Sequence, residues 1–509
     1  MLGNSAIRTF EHKYFYSMID RDDPISIPNY FAENIENWLI RDRGKLKMRP
    51  GLTARGASPS KTYLGSGTLY RSNGIRKFVR VVDGAANTAK FQSSDDGTTW
   101  SDISGGGSKT TGKKWSLVQA NDNLYGVNGT DTAIKYDGTT VTTVAAIPNG
   151  TAIEWWKNFM WVVGNSTYKD RLYFSNAADP ETWGGSDYVN VNLGDNSNAI
   201  AVRGTAGSTG RLYIGKQYSV WYLTGTSSSN FAIQPLTYEH GVASQASTIA
   251  VGKNSVWCVD QEGNIRDLYR TTEDTPFSKN ASEDISNAIA MINSTAISGA
   301  SAVYHDNYVM FFLPYGVDTY NSIVYVYDFL CNEGKGGWLK FTNWSIGGAN
   351  VFTETTNPKL FLFDSRTSNG QTYEWTGTSD NGLAITAKYD TKVYDNGFPT
   401  QEKTYKYSYQ YAPALSGSSL RFYVSIDRYY YTLLKNFSLT SGGDTLWGTA
   451  VWGEDTWGSE EQVRQRIYYS DNGGAIQGTS QQIRIEAQST SAQIEARAFT
   501  SHFLIRGLR

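Results

Sequence analysis

The chain has 509 residues, 39% hydrophobic and 14% aromatic, with 50 glycines and 18% charged side chains, a composition that excludes a disordered chain or a coiled coil and favours β structure. Its 46 basic and 48 acidic residues leave a formal net charge of −2, so no bulk charge drives it towards nucleic acid or an anionic membrane. The opening MLGNSAIRTFEHKYFY has no basic stretch leading into an apolar one, and no apolar run reaches spanning length; we expect no membrane span and no conventional export signal.

In chain order, ENIENWLIRDRGKLKMRPGL (33–52) reads as a strand, a turn at Asp42-Arg43-Gly44, and a second strand ending in Arg49-Pro50-Gly51. Alternation puts Lys45 and Lys47 on the face opposite Leu46 and Met48. Residues 1–61 are expected to form an opening hairpin and docking segment. Its basic residues Arg41, Arg43, Lys45, Lys47 and Arg49 should face protein partners or solvent, with Arg49 and Pro50 as candidate interface residues.

From 62 to 382 short aromatic and β-branched runs alternate with Gly, Asn, Asp and Ser clusters, the pattern of many strands joined by tight turns. Groups such as RKFVRVVDGAANTAKFQSSDDGTTWSDI, WSLVQANDNLYGVNGTDTAIKYDGTTVTTV and WWKNFMWVVGNSTYKDRLYFSNAADPETW follow one another. Their period of roughly 40 to 50 residues is that of propeller blades. Each blade buries a face on each neighbour, so the units must close into a ring; six or seven blades are expected. A stacked β-solenoid is the competing architecture, with shorter and more regular repeats. A helical pattern is confined to SEDISNAIAMI (282–292).

The first group ends in SSDDGTTW. Ser93-x-Asp95-x-Gly97-x-Thr99-Trp100 resembles the Asp-box, a hairpin signature of sialidases and many other β-propellers. The residues themselves imply structural work: the Asp95 carboxylate accepts backbone N–H groups of its own turn, Gly97 permits positive φ, and Trp100 packs between strands. A sialidase would also need an arginine triad, a Tyr–Glu nucleophile pair and an acid/base Asp. The family's Phe/Tyr-Arg-Ile-Pro start is missing. No zinc-like spacing links His12, His240, His305 and His502, and neither Gly-x-Ser-x-Gly nor a phosphate-cradling loop is present. The expectation is no catalytic residue, no cofactor, no metal and no enzymatic activity.

Further along, SNAADPETW sets a turn at Asp179-Pro180 with Trp183 closing an apolar edge, and RLYIGKQYSVWYLTG reads as two paired strands around Gly215-Lys216-Gln217. Cys258 and Cys331, the two cysteines, lie in apolar runs and are expected to be buried free thiols rather than a disulfide. After Gly382 long alternating strands appear, including SLRFYVSIDRYYY, where Leu420, Phe422, Val424 and Ile426 alternate with polar residues, and QQIRIEAQ, with Ile483, Ile485 and Ala487 facing one side. They predict a β-sandwich over 383–509. Between them LWGTAVWGEDTWG carries Trp447, Trp452 and Trp457 at a spacing that fits neither a strand face nor a helix face. These three indoles are candidate interface residues, with a sugar-binding platform as the other use of the same chemistry.

Three motifs in order, the hairpin running into Arg49-Pro50-Gly51, the Ser175-Asn176-x-x-Asp179-Pro180-x-x-Trp183 turn, and the strand ending Trp221-x-Leu223-Thr224-Gly225, resemble the β-propeller tail proteins of short-tailed bacteriophages, the group of DNA-stabilisation, hub and nozzle proteins. The likeness runs from about residue 30 to the C-terminus. It lacks any large insertion, so a long distal tip domain is not expected. The resemblance implies an all-β virion tail protein, a propeller followed by a sandwich, assembled in the host cytoplasm. A homo-hexameric ring below the portal and adaptor would contact other tail proteins, with tail fibre or spike attachment as a further contact. The charge balance implies a neutral or acidic channel through which DNA passes without specific binding. Two rival readings stand beside it: a glycan-binding propeller and a sialidase-like glycan-degrading enzyme.

Overall fold

The computed structural model describes residues 7–41, 45–84, 88–207, 210–270, 276–413, 415, 418–439, 462–469 and 476–506. The chain is almost entirely β, and its contacts divide it into two units: Met1–Thr53 with Val326–Thr342 and Thr376–Arg509, and Ala54–Tyr325 with Asn343–Trp375. The sequence reading drew three consecutive segments. The contacts instead place the described opening residues with the C-terminal strands.

The second unit is a seven-bladed propeller. Blade 1 comprises Tyr63–Tyr70, Arg76–Asp83, Ala89–Ser94 and Ser101–Asp102; blade 2 Ser116–Ala120, Asn123–Val127, Ile134–Tyr136 and Thr140–Thr143, with Ser104–Gly105 at its edge. Blade 3 comprises Ala152–Trp156, Phe159–Val163, Arg171–Phe174 and Tyr188–Asn190; blade 4 Ala199–Gly204, Leu212–Lys216, Val220–Thr224 and Ala232–Thr237. Blade 5 comprises Ile249–Val251, Ser255–Val259, Ile265–Arg270 and Pro276–Asn280. In blade 6, Ser301–His305 and Tyr308–Pro314 precede Asn321–Asp328, of which the part up to Tyr325 belongs to this unit; blade 7 has Ile346–Thr353, Pro358–Asp364 and Thr372–Trp375.

Each blade is hydrophobic on both faces because it packs on two neighbours. Leu64, Val79 and Phe91 of blade 1 meet Leu124 and Ile134 of blade 2; Trp161 and Phe174 of blade 3 meet Leu212 and Trp221 of blade 4. The first strands of successive blades lie side by side, and that of blade 7 lies against that of blade 1. At this closure Phe78 of blade 1 packs among Phe352, Phe361 and Phe363 of blade 7, and Tyr63 stacks on Phe363 at 4.6 Å. A side chain at Gly348 would collide with Tyr63 at 2.5 Å, so the glycine is what lets the two blades approach. The region 282–292 forms short turns of helix, Glu283–Ile285 and Ser286–Ile289, as expected.

First strands leave an edge of unpaired backbone groups, and neighbouring blades satisfy it with side chains. Gln119 of blade 2 accepts from Tyr70 N (2.8 Å) and donates to Tyr70 O (2.6 Å), completing both bonds that a strand would have made. Gln245, leading into blade 5, does the same for Val202 of blade 4 at 2.8 and 3.0 Å. Asn321 of blade 6 donates to Ile346 O of blade 7 at 2.9 Å, and Tyr70 Oη accepts from Thr353 N at 2.9 Å across the closure.

The first unit is a β-sandwich built from both ends of the chain. One layer runs in the order Gly337–Phe341, Ala32–Glu36, Ile385–Thr391, Gln481–Ser489, Ser419–Ile426, Thr432–Ser438. The other runs Arg8–His12, Phe499–Ile505, Lys403–Pro413, Gln462–Tyr468, with Ile476–Gly478 also on Lys403–Pro413. Tyr405, Tyr469 and Phe503 of the second layer meet Val424 of the first. Leu420, Phe422, Ile483, Ile485 and Ala487 are buried, as their alternation predicted. In Lys45–Met48, Leu46 and Met48 are buried while Lys45 and Lys47 point away from them. Cys258 and Cys331 are buried free thiols, each pushed well above the usual thiol pKa chiefly by burial. Among the described residues no helix is long and apolar enough to cross a membrane.

Candidate functional site

The SSDDGTTW turn joins the third and fourth strands of blade 1. Its capping carboxylate is Asp96, one position later than the Asp-box alignment assigns. Asp96 Oδ1 accepts from Thr98 N (2.7 Å), Thr99 N (2.8 Å) and Ser94 Oγ (2.9 Å). Burial pushes its pKa up, but the Thr99 and Thr98 amides and the Ser94 hydroxyl outweigh burial and hold the carboxyl below its usual range. Asp95 instead points outward, its side chain 72% exposed, and pairs with Lys77 at 2.6 Å. The reason is strand alternation: Ser94 is buried at the end of Ala89–Ser94, so Asp95 turns to solvent and Asp96 turns in. Ser93 sits on the same strand, and Thr99 contributes its backbone N–H. Gly97 has φ of +72°, and a Cβ there would meet the Phe361 ring at 2.5 Å. Trp100 lies 5.4 Å from Phe78 with the Arg80 guanidinium 4.2 Å over its ring.

Arg49 is wholly buried, which corrects its assignment as an interface residue. Its fork donates to both Asp380 oxygens, Nη1 at 2.8 Å and Nη2 at 2.6 Å, and Nε donates to Asn37 Oδ1 at 2.8 Å. A guanidinium removed from water must find such partners, and here they come from the opening hairpin and from the start of the C-terminal region. Its Nη1 also donates to the Pro50 carbonyl at 3.0 Å. Trp447, Trp452 and Trp457 lie outside the described residues. The SNAADPETW turn is closed by Asp179 Oδ1 accepting from Glu181 N (3.0 Å) and by Trp183 Nε1 donating to Pro180 O (2.9 Å). Glu181 then receives Lys135 and the Tyr125 hydroxyl, both at 2.8 Å, joining blade 3 to blade 2.

Two charged groups that the sequence reading missed are buried in the propeller. Lys216, assigned there to a turn, is the last residue of its strand and 0% exposed; Nζ donates to Asp170 (2.6 Å), Asp195 (2.5 Å) and the Val191 carbonyl (3.0 Å). Its ammonium thereby ties blade 4 to the loops of blade 3. Glu154 on the first strand of blade 3 pairs with Arg203 on the first strand of blade 4 at 2.9 Å, and Arg203 Nε continues to Thr248 O at 3.0 Å. Burial raises the Glu154 pKa against the opposing pull of Arg203. A carboxylate of raised pKa beside an arginine is a chemistry that acid/base catalysis uses; sequence spacing gave no sign of it because the two residues are 49 positions apart.

In the sandwich, a cavity of about 380 Å³ is lined by Arg8, Phe10 and Phe503 of the second layer and by Tyr394 and Phe398 of the loop that follows Ile385–Thr391. Arg8 stacks 4.6 Å above Phe398, and Phe10 lies 4.3 Å from Tyr394. Among the described residues no three His, Cys, Asp or Glu side chains gather as metal ligands.

No protein-family model and no curated protein sequence matches the chain. Among solved structures it is similar to BBS1N in complex with ARL6DN, at 12% identity and a TM-score of 0.34, over 67% of this chain and 97% of that one. It is also similar to exo-β-1,3-galactanase from Phanerochaete chrysosporium in two structures. One has 6% identity and a TM-score of 0.29 over 78% of this chain and 98% of that one; the other has 7% identity and 0.27 over 89% and 99%. Likeness at this level assigns no activity. The expectation that this chain is not an enzyme is withdrawn, exo-β-1,3-galactanases being among the similar structures.

Proposed function

We propose that the chain is a structural protein of a short-tailed bacteriophage tail, a hub or nozzle subunit whose copies form a ring below the portal and adaptor. The observation that carries this reading is the role of the motifs on which the resemblance rests. Arg49-Pro50-Gly51 supplies the buried joint of the sandwich, and the Asp179-Pro180 turn joins two blades. The third motif, ending Trp221-x-Leu223-Thr224-Gly225, is the third strand of blade 4. All three motifs thus do structural work within the chain, and that is what supports a structural role. The proposed partners are other tail proteins and further copies of the chain, and DNA passes without specific contacts.

Mass spectrometry of purified particles, together with the mass of the isolated assembly by light scattering, tests this. The expected result is a closed oligomer of the chain present in the particle tail. A stable monomer that never enters particles overturns the reading.

The Glu154–Arg203 pair favours a second reading, a glycan-processing propeller in which Glu154 holds or donates a proton beside a bound sugar. Its test is hydrolysis of a panel that includes β-1,3-galactan, sialosides and capsular glycans. Turnover lost in Glu154→Gln, with the fold retained, supports it; no turnover of any panel member rejects it.

A further inference from the structure

The strands Lys403–Pro413 and Gln462–Tyr468 are neighbours in one layer of the sandwich, paired Tyr411 to Arg464, Tyr409 to Arg466 and Tyr407 to Tyr468. On the other side Tyr407 faces His502 and Tyr409 faces Thr500. Alternation then divides the layer: Ser408, Gln410, Ile467 and Ser501 are buried, and the tyrosines and arginines take the outer face. There Arg464 lies 3.8 Å over Tyr409, Arg466 lies 4.0 Å over Tyr407, and His502 stacks on Tyr407 at 4.4 Å.

Among the described residues no carboxylate neutralises the positive charge of this face. Among the described residues neither Arg464 nor Arg466 has a carboxylate at ion-pair distance, and Arg466 Nε is shut from water without a hydrogen-bond partner. Glu11, on the edge strand of the same layer, is paired with Lys13 at 3.2 Å. The His502 imidazole is held below its usual pKa by burial and then by the charges of Arg466 and Arg464.

We propose that this face docks an extended acidic segment of a protein partner, with carboxylates at alternate positions. The argument is geometric. Side chains two apart on a strand repeat at about 6.8 Å, so Arg464 and Arg466 present two planar forks at the period at which an extended segment presents every second side chain. Carboxylates accept such forks in pairs of parallel bonds, and stacking on tyrosine fixes the guanidinium planes before binding. Arg and Tyr are the residues on which protein interfaces concentrate their energy. A single-stranded nucleic acid would need open aromatic faces for its bases, and here Tyr407 and Tyr409 are already covered by His502 and the arginines. The inference is independent of the tail-ring reading.

The test uses the full chain and fluorescence anisotropy at low ionic strength, with a labelled peptide of Glu-Thr repeats, its Gln-Thr counterpart, single-stranded DNA and polygalacturonate. The expected result is binding of the Glu-Thr peptide alone, weakened by salt. Arg464→Gln and Arg466→Gln should each weaken it about tenfold, and Arg→Lys at both positions should recover only part of the loss because the fork is gone. Photo-crosslinking of the peptide to the unmodified protein should map to Lys403–Pro413 and Gln462–Tyr468, a readout that does not depend on the variants folding. Absence of peptide binding, crosslinks elsewhere, or tighter binding of DNA or polygalacturonate overturns the proposal. So does self-association that the two Arg→Gln changes abolish without any peptide binding, which would assign the face to a second copy.

Discussion

Asp96 and Asp95 are adjacent carboxylates with different fates, and the difference is measurable. Asp96 accepts two backbone amides and a hydroxyl, so Asp96→Ala should destabilise the propeller by roughly 1–3 kcal/mol, the cost of leaving partly buried donors unpaired. Asp95→Ala removes an exposed ion pair and should change stability by less than about 0.5 kcal/mol. Equal effects in urea unfolding would contradict the assignment of the cap. Lys216 presents a sharper case. Lys216→Met keeps the stem volume but leaves Asp170 and Asp195 facing each other without a cation, and should lower stability by about 3 kcal/mol; a neutral result would show that the carboxylates relax to solvent.

Among elements, the first strand of each blade depends on its neighbour, because a strand edge without partners leaves amides and carbonyls unsatisfied. Gln119 and Gln245 close two of these edges with a side-chain amide acting as one residue of a strand. Gln245→Ala should therefore accelerate hydrogen exchange of the Val202 amide while leaving the Ile214 amide, within the blade 4 ladder, protected. Uniform acceleration across blade 4 would mean that the glutamine supports the whole blade. The strands themselves were legible in the sequence, since RLYIGKQYSVWYLTG alternates as paired strands do. The glutamine clasps were not, because nothing in a lone Gln announces which backbone it will meet 43 or 49 positions away.

For the molecule as a whole, acid and base act on different units. His12 is enclosed by Phe15, Tyr30, Tyr389, Tyr394 and Phe499, bonded to the Tyr394 hydroxyl at 2.7 Å, and burial lowers its pKa to about 3. A depressed histidine stabilises the fold fully above its unfolded value near 6.5, and that contribution is lost as pH falls from there towards 3. Asp267 in blade 5 behaves oppositely: burial raises it to about 6, against the Ser255 hydroxyl and Lys279, so its contribution is present below about 4 and lost as pH rises through 6. Unfolding of the sandwich, followed by tyrosine absorbance, should thus be acid-sensitive between pH 6.5 and 3 and lose that sensitivity in His12→Gln. Between pH 4 and 6 Asp267→Asn should flatten the opposing trend in the propeller. A further measurement addresses the buried joint: Arg49→Ala should destabilise the sandwich by about 3–5 kcal/mol, since it removes the guanidinium that both Asp380 oxygens accept from.

The sequence by itself determined the class of structure. A period of about 40 to 50 residues, alternation within each run and Gly/Asn/Asp turns between runs are local properties, and local physics converts them into strands, hairpins and blades that must pack side by side. It also determined the faces of Lys45–Met48 and of the late strands, since alternation needs no knowledge of partners. Only the tertiary structure decided where those faces meet. Arg8–His12 pairs with Phe499–Ile505 and Ala32–Glu36 with Ile385–Thr391, so the opening residues complete the sandwich of the far end. Long-range contacts in the sandwich buried Arg49, while the packing of neighbouring blades brought Glu154 to Arg203 and put Lys216 between two carboxylates. Pairings across hundreds of residues depend on which edges remain open after the local strands have formed, and that is a property of the assembled surface rather than of any stretch of chain.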